Sequence, residues 1–115
     1  MMTAERFALA LGMTESGGDP RAFGDGGCAL TSFQVHPAWV WDQTRTPDVM
    51  PKVAETWQSW VESLVRRFYI RNSPQLNDVE IAMRFHLGHT SREGDPDWDA
   101  EYAQRFTAYA IRLGA

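Results

Sequence analysis

Apolar residues recur at helical spacing in four stretches of the chain, with turn-forming residues between them. Ala4, Phe7, Ala8 and Leu11 share one face and predict a helix from about residue 3 to about residue 15. It must stop at the Gly-rich stretch from Gly17 to Gly27, where Gly17-Gly18-Asp19-Pro20 and Gly24-Asp25-Gly26-Gly27 dictate loop. Val53, Trp57, Trp60, Val61, Leu64, Val65 and Phe68 then follow at steps of 4, 3, 1, 3, 1 and 3, the broad apolar face of a long helix. Thr46-Pro47 or Met50-Pro51 can open it, and Asn72-Ser73-Pro74 ends it. A third helix is predicted from Asp78 to Leu87, with Asn77 or Asp78 as N-cap and Gly88 as the stop. The last is predicted to begin at Asp95-Pro96, with Asp97 and Asp99 near its positive end. Its buried stripe would be Trp98, Tyr102, Phe106, Tyr109, Ala110 and Leu113, closed by Gly114. No segment alternates as a strand between hairpin turns, so the fold class is mainly α, with any sheet confined to the region of Gly24–Val35.

Composition narrows the function classes. A chain of 115 residues with 43% hydrophobic content has the size and composition of one globular domain, 1–115. Its net charge of −4 argues against nucleic acid as a partner, because that binding leans on a basic face. The single cysteine, Cys28, excludes an internal disulfide. No apolar run approaches the ~20 residues that span a bilayer, so no membrane span is expected. The first residues lack a basic stretch followed by an apolar one, so no signal peptide is visible. The chain is therefore expected to be cytoplasmic as synthesised, unless it is exported by another route or its leader is missing.

The unusual chemistry sits around the first loop. Glu15-Ser16 closes the first predicted helix, a Gly/Asp/Pro turn follows, and Phe33-Gln34-Val35-His36-Pro37 comes after the Gly-rich loop. This arrangement resembles the lysozyme-like lytic transglycosylases (the soluble lytic transglycosylase and goose-type lysozyme-like superfamily), in which a Glu-Ser pair precedes a Gln and an aliphatic residue by about twenty positions. Glu15 and Gln34 are nineteen apart. Phe85-His86-Leu87-Gly88 looks like the family's aromatic-Asn-x-Gly turn, with Phe85 where Tyr is usual and His86 where Asn is usual. Phe85 keeps the ring and loses the hydroxyl. Thr31-Ser32-Phe33-Gln34 likewise departs from the family's Gly-Leu-Met/Phe-Gln. The resemblance covers roughly residues 4 to 112 and implies a small lysozyme-like domain of about four to six helices, with a Gly-rich loop or minimal hairpin after the first helix.

The resemblance implies that Glu15 is both general acid and general base toward the β-1,4 glycan strands of peptidoglycan, with no metal or organic cofactor. The chemistry has an independent rationale. Breaking a glycosidic bond requires protonating a weakly basic oxygen while an oxocarbenium-like centre develops. A carboxyl in apolar surroundings at the negative end of a helix keeps its proton toward neutral pH and can supply it. Phe7, Leu11 and Phe33 are available as such surroundings. Ser16 could brace the loop or bond near the carboxyl. Gln34 could present its amide to a sugar or satisfy the loop backbone. Phe85, His86 and Gly88 would line the cleft, and Trp39 or Trp41, two apart and so on different helical faces, could stack on a sugar.

Other candidates read more simply as structure. Asp19 and Asp25 could position water, yet both lie where turns favour Asp. His86 and His89, with His36 as a third partner, form too irregular a set for a metal site. Cys28 has no nucleophile signature around it, and Gly24-Asp25-Gly26-Gly27 lacks the residues of a phosphate loop. Trp57, Trp60 and Trp98 read as core. Two functions remain open: a peptidoglycan-cleaving enzyme, and a lysozyme-like binding or interaction module that has lost turnover. The acidic balance bears on the first, since peptidoglycan is itself anionic.

Overall fold

A computed structural model describes residues 2–24, 29–44 and 54–114. Asp25, Cys28, the proposed helix-opening prolines Pro47 and Pro51, and Val53 lie outside the described residues. The first helix, α1 (Ala4–Ser16), starts where the Thr3 side chain accepts the Arg6 N–H at 3.2 Å. It ends at Gly17, whose left-handed backbone (φ 73°) carries the final N–H back to Gly12 and Met13 carbonyls. A side chain would strain that conformation, which is why glycine stops the helix there.

Phe7, Ala8, Ala10 and Leu11 are fully buried, so α1 runs through the interior. It packs between α3 (Ala54–Asn72) and α5 (Ala100–Arg112). The Phe7 ring sits 4.5 Å from Tyr69 of α3 and 5.6 Å from Phe106 of α5, centroid to centroid. Val61, Leu64, Val65 and Phe68 supply the rest of the buried face of α3, at the spacing the sequence predicts. Tyr69 closes this layer through its hydroxyl, which donates to Asp78 Oδ1 at 2.6 Å and lies 2.9 Å from the Met2 carbonyl. Burial and the adjacent carboxylate both push that phenol upward from its ordinary range.

Between α1 and α3 come a minimal antiparallel hairpin, β1 (Phe23–Gly24) with β2 (Ala29–Leu30), and a short helix, α2 (Pro37–Thr44). The sheet lies in the predicted region. The periodicity did not reveal α2, in which Val40 is the buried residue. Trp57 and Trp60 pack partly buried against the core, edge to face at 6.0 Å.

Helix α4 (Asp78–Leu87) has the predicted limits. Asn77 and Glu80 form a reciprocal capping box, and Gly88 (φ 82°) ends the helix. The predicted start of the last helix at Asp95-Pro96 is corrected. Asp95 instead accepts the Arg92 N–H at 2.8 Å, and Asp97 accepts the buried Ser91 hydroxyl at 2.8 Å and pairs with His89. Those carboxylates are engaged in the connection, so Asp99 becomes the cap, accepting the Tyr102 N–H at 3.1 Å. Trp98 therefore precedes α5 and packs, half-buried, beside it. Among the described residues the fold is mainly helical, with five helices.

Because Phe7 joins α1, α3 and α5, Phe7→Ala is expected to cost about 3–5 kcal/mol. Urea unfolding followed by circular dichroism measures it; a cost below about 1 kcal/mol would contradict the central place of this ring.

Candidate functional site

Glu15 lies four residues beyond Leu11 and eight beyond Phe7, so the face that buries those side chains also turns Glu15 inward. Its Oε2 is shielded from solvent and has no hydrogen-bond partner. The Tyr102 hydroxyl, also buried, faces the carboxyl closely enough to interact with it but does not close a hydrogen bond of ordinary geometry. Burial raises the Glu15 pKa from its ordinary value, against opposing contributions from the Tyr102 hydroxyl and the charges of His86 and Arg105. The same enclosure and the neighbouring carboxyl push the Tyr102 phenol strongly upward, so it remains neutral.

Glu15 opens onto a cleft of about 210 Å³ lined also by Gln34, Val35, His36, Trp39 and Phe85 through Gly88. Trp39 is fixed by edge-on contacts, 5.2 Å to Phe85 and 6.3 Å to Phe68, so one wall is a rigid aromatic cluster rooted in the core. Trp41 is 40% exposed on another face of α2. A wider groove of about 530 Å³, between α4 and α5 near Trp98, holds none of the candidate residues. The smaller cleft is the candidate site because Glu15, with its buried and unpartnered Oε2, lines it.

The opposite wall is a tightly braced loop. Gly12 permits it: a Cβ there would meet Ser32 Oγ at 3.1 Å. Ser16 donates to the Ser32 carbonyl at 2.6 Å, and Gln58 of α3 clamps Ser32 through both its N–H and its hydroxyl, at 2.8 and 2.6 Å. Ser16 therefore braces the loop and does not line the cleft. Thr31 and Gln34 hold left-handed backbones (φ 69° and 51°), a conformation non-glycine residues adopt at a cost. Gln34 Nε2 donates to the Ala22 and Thr31 carbonyls at 3.1 and 2.9 Å, while Oε1 presses against Gly24, where a Cβ would collide. Of the two roles open to Gln34, the structure gives its amide N–H groups to the loop backbone.

The remaining candidates separate. Asp19 is exposed and accepts the Arg21 N–H at 2.9 Å, as a turn residue does. His86 and His89 go to different carboxylates, Asp99 at 3.1 Å and Asp97. Among the described residues, no group of three His, Cys, Asp or Glu side chains is placed to hold a metal ion, and no helix is long and apolar enough to cross a membrane. Sequence reasoning missed Tyr102 and Arg105 as neighbours of Glu15. The stripe of α5 marks Tyr102 as buried but does not say what it is buried against. No protein-family model, no curated protein and no solved structure matches the chain.

Native Glu15 holds its proton more tightly than the unfolded chain does. Stability therefore declines as pH rises from the ordinary carboxylate range through the native titration. Glu15→Gln should melt like the parent in acid and a few degrees higher above that titration. Thermal melts across pH measure this, and a variant that melts lower at high pH contradicts the burial cost.

Proposed function

We propose that this protein binds and cleaves β-1,4 glycosidic bonds of peptidoglycan, with Glu15 as the sole general acid/base. The observation that carries the reading is the unpartnered, buried Oε2 of Glu15, a residue that lines an aromatic-walled cleft. A buried carboxyl without a partner is costly to ionise and thus disposed to keep, then donate, a proton. The sequence resemblance to lysozyme-like lytic transglycosylases supports the substrate class.

In this mechanism the protonated Glu15 gives its proton to the bridging oxygen as the bond to the anomeric carbon breaks. An oxocarbenium-like sugar and a Glu15 carboxylate result. The carboxylate then takes a proton either from a hydroxyl of the same sugar, closing an anhydro ring, or from water whose oxygen joins the anomeric carbon. Tyr102, neutral and buried beside the carboxyl, adds to its enclosure. Trp39 offers its half-exposed ring to the apolar face of a sugar. The cleft is smaller than the ~300–1,000 Å³ of ordinary ligand pockets, so it seats the reacting ring while the strand extends beyond it.

The second reading, a binding module without turnover, is favoured by the commitment of the Gln34 amide N–H groups to the loop. Incubation with purified cell walls, with soluble fragments read by mass spectrometry, separates the two. The wild type should release fragments whose ends report anhydro or hydrolysed product. Glu15→Gln should release at least a hundredfold fewer, following the usual loss of a general acid of about 10²–10⁴. Wild-type protein that sediments with walls but releases nothing supports the module, and equal release by the variant overturns the assignment of Glu15.

A further inference from the structure

His86 stands in the wall of the Glu15 cleft, and its setting is specific. Its imidazole lies flat on the Tyr102 ring, with centroids 3.9 Å apart and planes 10° from parallel. Its Nε2 is 3.1 Å from Asp99 Oδ2, while Asp99 Oδ1 accepts the Tyr102 N–H. One carboxylate therefore holds both stacked partners, the ring of one and the backbone of the other. The Tyr102 N–H bond, with His86 adding to it, keeps Asp99 below the usual carboxylate range, so Asp99 is an anion wherever histidine titrates. An ionised carboxylate only accepts, so His86 Nε2 is the donor.

We propose that His86 is a positioning residue whose switchable positive charge stabilises the carboxylate form of Glu15, so that the Asp99–His86–Tyr102 assembly regulates when Glu15 holds its proton. This deepens, and rests on, the reading of Glu15 as the acid of the cleft. Glu15 Oε2 has no fixed donor, so its ionisation answers to charge acting through space in a poorly solvated site. The groups that face the pair are known. Tyr102 and Arg105 come from α5, with Arg105 5.8 Å from the Tyr102 ring, Asp99 caps that helix, and His36 also lines the cleft. Arg105 is a constant cation. His86, by contrast, carries a positive charge only when it is protonated. With His86 charged, Glu15 gives up its proton more readily and its carboxylate, the form left after donation, is stabilised. With His86 neutral, the protonated acid is favoured.

The test is a carbon-13 NMR titration of the Glu15 carboxyl in the full chain and in three variants. His86→Gln keeps a donor for Asp99, His86→Phe keeps a ring on Tyr102, and both lack the charge. His86→Arg keeps a permanent, planar charge able to stack and to pair with Asp99. The Glu15 midpoint should move to higher pH in the Gln and Phe variants and stay at or below the wild-type value in the Arg variant. Unchanged midpoints in both neutral variants overturn the proposal, as does an upward shift in the Arg variant as well. A merely structural role for His86 would lower the melting temperature without sorting the midpoints by charge. The readout is independent of glycan release: shifted midpoints without wall cleavage would sink the enzymatic reading and leave this coupling intact.

Discussion

The burial of α1 between α3 and α5 through Phe7 is the constraint on which the rest of the structure depends. A helix enclosed this way can afford little polarity on its inward face. Thr14 meets this by donating its hydroxyl back to the Ala10 carbonyl, and Glu15 is the ionisable exception, carried inward by the register that buries Phe7 and Leu11. Its altered proton affinity is thus a consequence of helix geometry as much as of local chemistry. Moving the carboxyl one position along α1 would rotate it by about 100°, to the buried site of Thr14 or to the site where Ser16 braces the loop.

The two walls of the cleft obtain rigidity by different means. One is an aromatic cluster of Trp39, Phe68 and Phe85, held by packing. The other is a polar brace in which Ser16, Ser32, Gln34 and Gln58 satisfy one another and the loop backbone. The brace holds two non-glycine residues in left-handed conformations, so the loop's shape is maintained by its surroundings and not by its own preference. Gly12 and Gly24 matter because each lets another segment approach closely.

Local signals made some of this legible. Caps and left-handed glycines gave the limits of α1 and α4 to within a residue or so, because those signals act over three or four positions. The start of α5 was misplaced because Asp95-Pro96 carries the same cap signature as a true helix start, and only the tertiary partners of Asp95 and Asp97 distinguish them. Helix α2 has eight residues, too few for a periodic stripe to stand out. The family resemblance suggested the company of Glu15, Gln34, Phe85, His86 and Gly88, the place of Trp39 after Gln34 added it, and the structure brings these to one cleft. The sequence could not supply Tyr102, since a pattern reports that a residue is buried but not which polar atom it will meet. Nor could it show that the Gln34 amide would be consumed by the loop.

Asp99 gives a common substitution rule an unexpected limit. Ser, Thr, Asn and Asp serve almost interchangeably at the start of a helix, where each can accept a backbone N–H. Here the second oxygen of the same carboxylate also faces His86. An exchange to Ser or Asn would leave α5 properly started yet change the electrical state of the cleft wall. At this position, helix-start tolerance and chemical tolerance part company, and a survey of variants judged by folding alone would count as silent the changes that matter most to the site.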